Sequence, residues 1–86
     1  MLPVKVRITP AALADLETLH EPMLARVNRA IERLGDWPNV SGAKQLRGEL
    51  KGHFRVRAGD WRIVFTIAGG AVVVVRIAKR RDVYQD

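Results

Sequence analysis

Residues 52–84 read GHFRVRAGDWRIVFTIAGGAVVVVRIAKRRDVY, and the way this stretch divides decides the fold. Phe54 and Val56 alternate with Arg55 and Arg57, the period-two pattern of a strand with one apolar and one polar face. Ala58-Gly59-Asp60 supplies a short hairpin connection, because glycine takes a positive φ without a steric penalty. Trp61, Ile63, Phe65 and Ile67 then alternate with Arg62, Val64 and Thr66, and Ala68-Gly69-Gly70 forms the next turn. Val72 to Ile77 is almost continuously apolar, as expected of a strand buried on both faces. Three antiparallel strands joined by tight turns make a meander, closed by a basic tail that ends in the only tyrosine, Tyr84.

Upstream of the meander the chain reads as scaffold. Val4, Val6 and Ile8 alternate with Lys5 and Arg7, which predicts a further strand and a sheet of about four. Thr9-Pro10 is an N-cap followed by proline at the first helical position, and Leu13, Leu16 and Leu19 recur at helical spacing behind it. Pro22 breaks that helix and opens a second, with Met23, Val27, Ala30, Ile31 and Leu34 on its apolar face. Gly35 is placed to end it as the C′ residue. Residues 36–51 read as a connector with short turns, in which Leu46 and Leu50 plug the core and Trp37 serves either as a hydrophobic lid or as a base-stacking ring. The expected fold class is α+β: a two-helix hairpin packed on an antiparallel sheet of about four strands, in a single domain over residues 1–86.

Composition narrows the function classes. The chain has 86 residues, no cysteine and two widely spaced histidines, His20 and His53, so disulfides are excluded and neither a metal site nor a cofactor is expected. No apolar run approaches the ~20 residues of a membrane span, and no leader pattern is present, so a cytoplasmic protein without a membrane partner is expected. The formal charge is +6. Over residues 1–42, Lys5, Arg7, Arg26, Arg29 and Arg33 balance Asp15, Glu17, Glu21, Glu32 and Asp36, so the whole excess lies in the second half. Segregated positive charge is the footprint of a polyanion or an acidic protein partner.

Within the meander the alternation assigns Arg55, Arg57 and Arg62 to the face opposite the large apolar residues, which predicts a concave basic surface built on rigid strands. A guanidinium donates two parallel hydrogen bonds to a phosphate and stays charged at any working pH. Several on one surface suit a nucleic-acid backbone and the extra charge of a phosphorane. Tyr84 adds a ring for stacking on a base, or a hydroxyl for proton transfer. Carboxylates such as Asp60 and Asp82 are the competing structural partners for Arg62 and Arg76.

Leu50-Lys51-Gly52, Phe54-Arg55-Val56-Arg57, Gly59-Asp60-Trp61-Arg62-Ile63-Val64-Phe65 and Lys79-Arg80-Arg81-Asp82-Val83-Tyr84 together resemble the RelE/ParE superfamily of toxins from type II toxin–antitoxin modules, over essentially the whole chain. The resemblance implies a microbial ribonuclease-like fold and one of two activities: ribosome-dependent mRNA cleavage in the RelE branch, or inhibition of DNA gyrase without nuclease activity in the ParE branch. It implies that Arg62 binds the scissile phosphate, that Arg80 is a general acid and that Tyr84 orients the base. A tail retaining Arg80 and Tyr84 favours the RelE branch. Arg55 and Arg57 stand where the best-known RelE-type toxins carry lysines. Arg76, Arg81 and Lys51 complete the candidate phosphate-binding set. Lys79 stands where many relatives have histidine, which makes it, with Tyr84, a candidate general base, and His53 a weaker one. The partners implied are a cognate antitoxin, mRNA on the ribosome, and operator DNA reached through the antitoxin.

Overall fold

In the computed structural model, which describes residues 3–79, the meander is the body of the molecule. Its strands are β3 (His53–Ala58), β4 (Trp61–Ala68) and β5 (Ala71–Lys79), paired antiparallel in sequence order. Gly69 and Gly70 take φ of +58° and +75°, the two positive values that a tight hairpin turn with the right-handed twist of its strands requires. Two further strands lie at the edges. β1 (Val6–Ile8) runs parallel to β5, and β2 (Lys44–Gln45) runs antiparallel to β3, giving the order β1-β5-β4-β3-β2. The sheet is therefore five-stranded and mixed, not a four-stranded antiparallel one. β2 has only two residues, both polar, and carries no periodicity to detect; the parallel pairing of β1 is a long-range choice that local patterning does not encode.

Both helices cover one face of the sheet. α1 (Pro10–Glu17) starts where expected: the Thr9 hydroxyl accepts from the Ala12 amide at 3.2 Å and Pro10 occupies the first turn. Thr9 also joins helix to sheet, its amide donating to the Val74 carbonyl at 3.0 Å. α1 buries Ala12, with Leu19 just beyond it, whereas Leu13 is exposed, so the leucine spacing overstated the apolar face. α2 (Met23–Arg33) buries Val27, Ala30 and Ile31. It runs on into a 3-10 turn over Leu34–Asp36, and Gly35 does not take the left-handed conformation expected of a C′ residue. Its carbonyl instead accepts from the Val4 amide at 2.9 Å, tying the segment before β1 to the end of α2.

Between helices and sheet the core gathers Ala12, Val27, Ile31 and Leu34 with Val56, Ile63, Phe65, Val72, Val74 and Ile77. Full burial of each large side chain is worth about 1.5–3 kcal/mol. Trp37 is a lid: its ring meets Phe54 edge-on at 4.8 Å and Phe65 at 5.4 Å. Burial on both faces falls on β4, where Arg62, Ile63, Val64 and Phe65 are consecutive buried residues, more fully than on β5, where Arg76 is exposed. A bulge explains the difference. Val64 pairs with Arg76 but Phe65 pairs with Val74, so Val75 is an extra residue. It shifts the phase of β5 so that Val72, Val74 and Ile77 all face the helices.

Candidate nucleic-acid interface

The sheet face away from the helices carries the arginines. Strand register sets Arg57 directly opposite Arg62, Arg55 opposite Val64, and His53 opposite Thr66. Arg55, Arg57 and Arg62 thus share one face, as the alternation predicts. Their environments differ from one another. Arg57 is exposed, but Arg62 keeps only 2% of its surface accessible and Arg55 only 9%. Buried guanidinium groups hold their geometry better than exposed ones, at a desolvation cost. Arg55 Nη1 donates to the Gly42 carbonyl at 3.4 Å, which ties it to the loop preceding β2. Ala78 is Arg62's neighbour on β5. Arg57, Gly59, Asp60 and Arg62 line a small cavity of about 80 Å³ near the tip of the β3–β4 hairpin.

The remaining candidates scatter. Arg76 leaves the cluster: its Nε lies 3.0 Å from Asp15 Oδ2, so among the described residues its carboxylate partner comes from α1 and is not Asp60, while Asp82 lies outside the described residues. Lys79 pairs in register with Trp61 on the helix-facing side, and its Nζ lies 5.8 Å from the Trp61 ring centre. The structure therefore does not bring Lys79 to the arginine face as a base. His53 does lie on that face, two residues from Arg55, or roughly 7 Å along the strand. Its Nδ1 is buried and meets no hydrogen-bond partner among the described residues. Lys51 is exposed and six residues from Arg57, about 20 Å along an extended chain. Arg80, Arg81 and Tyr84 lie outside the described residues.

α2 contributes a feature that the sequence reading assigned to scaffold. Arg26, Arg29 and Arg33, spaced i, i+3, i+7, flank its buried stripe and are exposed. With Ala30, Arg57, Ala58 and Gly59 they line a groove of about 280 Å³ between α2 and β3. The i, i+3, i+7 spacing was visible; the approach of β3, which makes the stripe into a wall, was not.

A family model described as the ParE toxin of the type II toxin–antitoxin system parDE matches residues 6–84. The chain belongs to this toxin family. Toxin RelG of Mycobacterium tuberculosis is 37% identical over 87 residues, covering 98% of this chain and 99% of the relative. Toxin RelE of the same organism is 36% identical over 86 residues, covering 96% and 88%. The RelBE2 toxin–antitoxin complex of M. tuberculosis contains a chain that superposes with a TM-score of 0.79 at 34% identity, covering 92% of this toxin and all of that chain. The five-stranded α+β architecture is thus that of a type II toxin of the RelE/ParE superfamily.

Proposed function

We propose that this toxin is a ribosome-dependent mRNA endonuclease of the RelE branch. The observation that carries the proposal is the register of β3 and β4, which holds Arg57 and Arg62 side by side with Arg55 on the same face. Two guanidinium groups held side by side offer paired hydrogen-bond forks suited to a phosphate. Naming of the relatives RelG and RelE supports the same branch.

In the proposed reaction the 2′-oxygen of one nucleotide attacks the adjacent phosphorus as its proton passes to a base. The bond from phosphorus to the 5′-oxygen breaks, leaving a 2′,3′-cyclic phosphate and a 5′-hydroxyl. Arg57 and Arg62 hold the phosphate and offset the charge that develops on it, and Arg55 fixes the strand beside them. By resemblance, Arg80 protonates the leaving 5′-oxygen and Tyr84 stacks on the base. His53 takes precedence over Lys79 as base because it shares the arginine face. Alignment of the RNA by the ribosome supplies the positioning that a small protein surface lacks. A cognate antitoxin is the proposed protein partner, as in the RelBE2 complex, and the cytoplasm the proposed site of action.

The match to the ParE model favours a second reading, a gyrase inhibitor without nuclease activity. Mapping mRNA 5′ ends after induction separates the two. Cuts within translated codons are expected, ahead of any DNA-damage response. DNA breaks accumulating while translation continues would sink the nuclease reading.

A further inference from the structure

The groove between α2 and β3 has the chemistry of a second anion site. Arg26, Arg29 and Arg33 form one wall and Arg57 stands across from them, over a floor of Ala30, Ala58 and Gly59. None of these four arginines is ion-paired to a described carboxylate. Arg33 Nη2 donates to the Ser41 carbonyl at 3.4 Å, which anchors one end of the row. At the other end Arg26 lies against the hairpin tip, where a Cβ on Gly59 would come within 3.3 Å of its Nη1. Arg57 and Gly59 also line the small cavity that holds Arg62. The groove and the arginine face of the sheet are therefore continuous around the end of the hairpin.

We infer that this groove binds the phosphodiester backbone of the RNA strand on one flank of the scissile phosphate. The inference rests on the endonuclease reading above. Two features select a nucleic-acid backbone over an acidic protein segment. Neighbours three or four apart on a helix face sit about 5–6 Å apart, so the stripe offers a repeating row of cations suited to a chain with one charge at each unit. The floor is alanine and glycine, with no pocket for the large apolar anchors that dominate protein–protein affinity. The groove also explains how a chain whose first half is electrically neutral can contribute to RNA binding: the helix keeps its cations on the side facing β3.

The test uses the purified chain and a labelled 2′-O-methyl RNA oligonucleotide, which lacks the nucleophile and stays uncut. Affinity is measured by fluorescence anisotropy against salt for the wild type, for Arg26→Ala/Arg29→Ala/Arg33→Ala, and for the triple variant with lysine at the same positions. Alanine at exposed helix positions preserves the helix. Single-stranded binding has a log–log salt slope of about 0.7 per neutralised phosphate, so losing three contacts lowers the slope by about 2, and lysine restores most of it. Equal slopes for wild type and alanine variant overturn the inference, as does failure of the wild type to bind the oligonucleotide. An unchanged RNA slope with lost antitoxin affinity assigns the groove to the protein partner and overturns it too. The endonuclease reading is tested separately by cleavage: a slope difference without cleavage of translated mRNA keeps RNA binding by the groove but removes that reading, and with it the groove's place beside a scissile phosphate.

Discussion

Asp15 Oδ2 accepts two hydrogen bonds at once, from the Ile77 amide at 2.8 Å and from Arg76 Nε at 3.0 Å. β1 pairs with β5 only as far as Val74, so the backbone beyond it needs another partner on that edge, and α1 supplies it. The amide bond matters more than the ion pair, because the Arg76 side chain is 52% exposed and screened by water. Asp15→Ala is expected to cost about 1–2 kcal/mol by leaving the Ile77 amide unpaired, and Arg76→Ala less than about 1 kcal/mol. Urea unfolding midpoints of the two variants test this. Equal losses would mean that the ion pair carries the contact.

The Arg57–Arg62 pair is expected to trade stability against activity. Arg57 is exposed, so Arg57→Ala relieves repulsion across the strands at little packing cost and should raise stability by about 0.2–1 kcal/mol while weakening translation arrest. Arg62 is buried, and Arg62→Ala should lose both stability and toxicity, with a rate loss on the order of 10²–10³ if it stabilises the charged phosphorane. Thermal melts paired with protein-synthesis rates in a cell extract read both quantities. Full arrest by the Arg62 variant would remove its catalytic assignment.

Gly59 turns the β3–β4 hairpin at a φ of +62°, and an added Cβ would stand 3.0 Å from Met23 Cε. Gly59→Ala therefore combines a left-handed backbone, worth about 1–2 kcal/mol, with displacement of Met23 and Arg26. For a domain of this size that corresponds to a fall in Tm on the order of 5–10 °C. Gly59→Asn should lose less from the backbone, because asparagine tolerates that conformation better than alanine. Calorimetry of the two variants decides it; a smaller loss for alanine would show that space, not backbone, is limiting.

The elements most legible in the sequence were those whose information is local. Thr9-Pro10 announced a helix start because a cap is a contact within four residues, and the alternation from Phe54 to Ile67 placed Arg55, Arg57 and Arg62 on one face because strand period is fixed. The elements that escaped depend on distant chain. β2 is a strand only because β3 lies beside Lys44 and Gln45, and the Val75 bulge is visible only in its pairing with β4. The same reason hid the burial of Arg62, the transfer of Arg76 to Asp15, the placement of Lys79 beside Trp61 and the arginine groove along α2. Periodicity assigns a side chain to a face; it does not say what else arrives at that face.

Trp37 tests the choice between lid and base-stacking ring. It is half-buried and touches Phe54 and Phe65 edge-on, while Phe65 is fully buried between sheet and helices. Removing the indole strips one side of this aromatic trio, so Trp37→Ala should destabilise by about 3 kcal/mol, at the lower end for aromatic truncation because the ring is only partly buried. Trp37→Phe keeps an edge-on ring and should recover more than half of that loss. The register keeps Phe54 and Phe65 on the face opposite Arg57 and Arg62, and Trp37 is not among the residues lining the α2–β3 groove, so a lid at this position touches neither proposed RNA surface. At a temperature where both proteins are folded, Trp37→Phe should therefore match the wild type in translation arrest and in affinity for the 2′-O-methyl oligonucleotide. A stable Trp37→Phe chain with RNA affinity reduced tenfold or more would instead make the indole a base-stacking residue and extend the RNA path past the α2–β3 groove to Trp37.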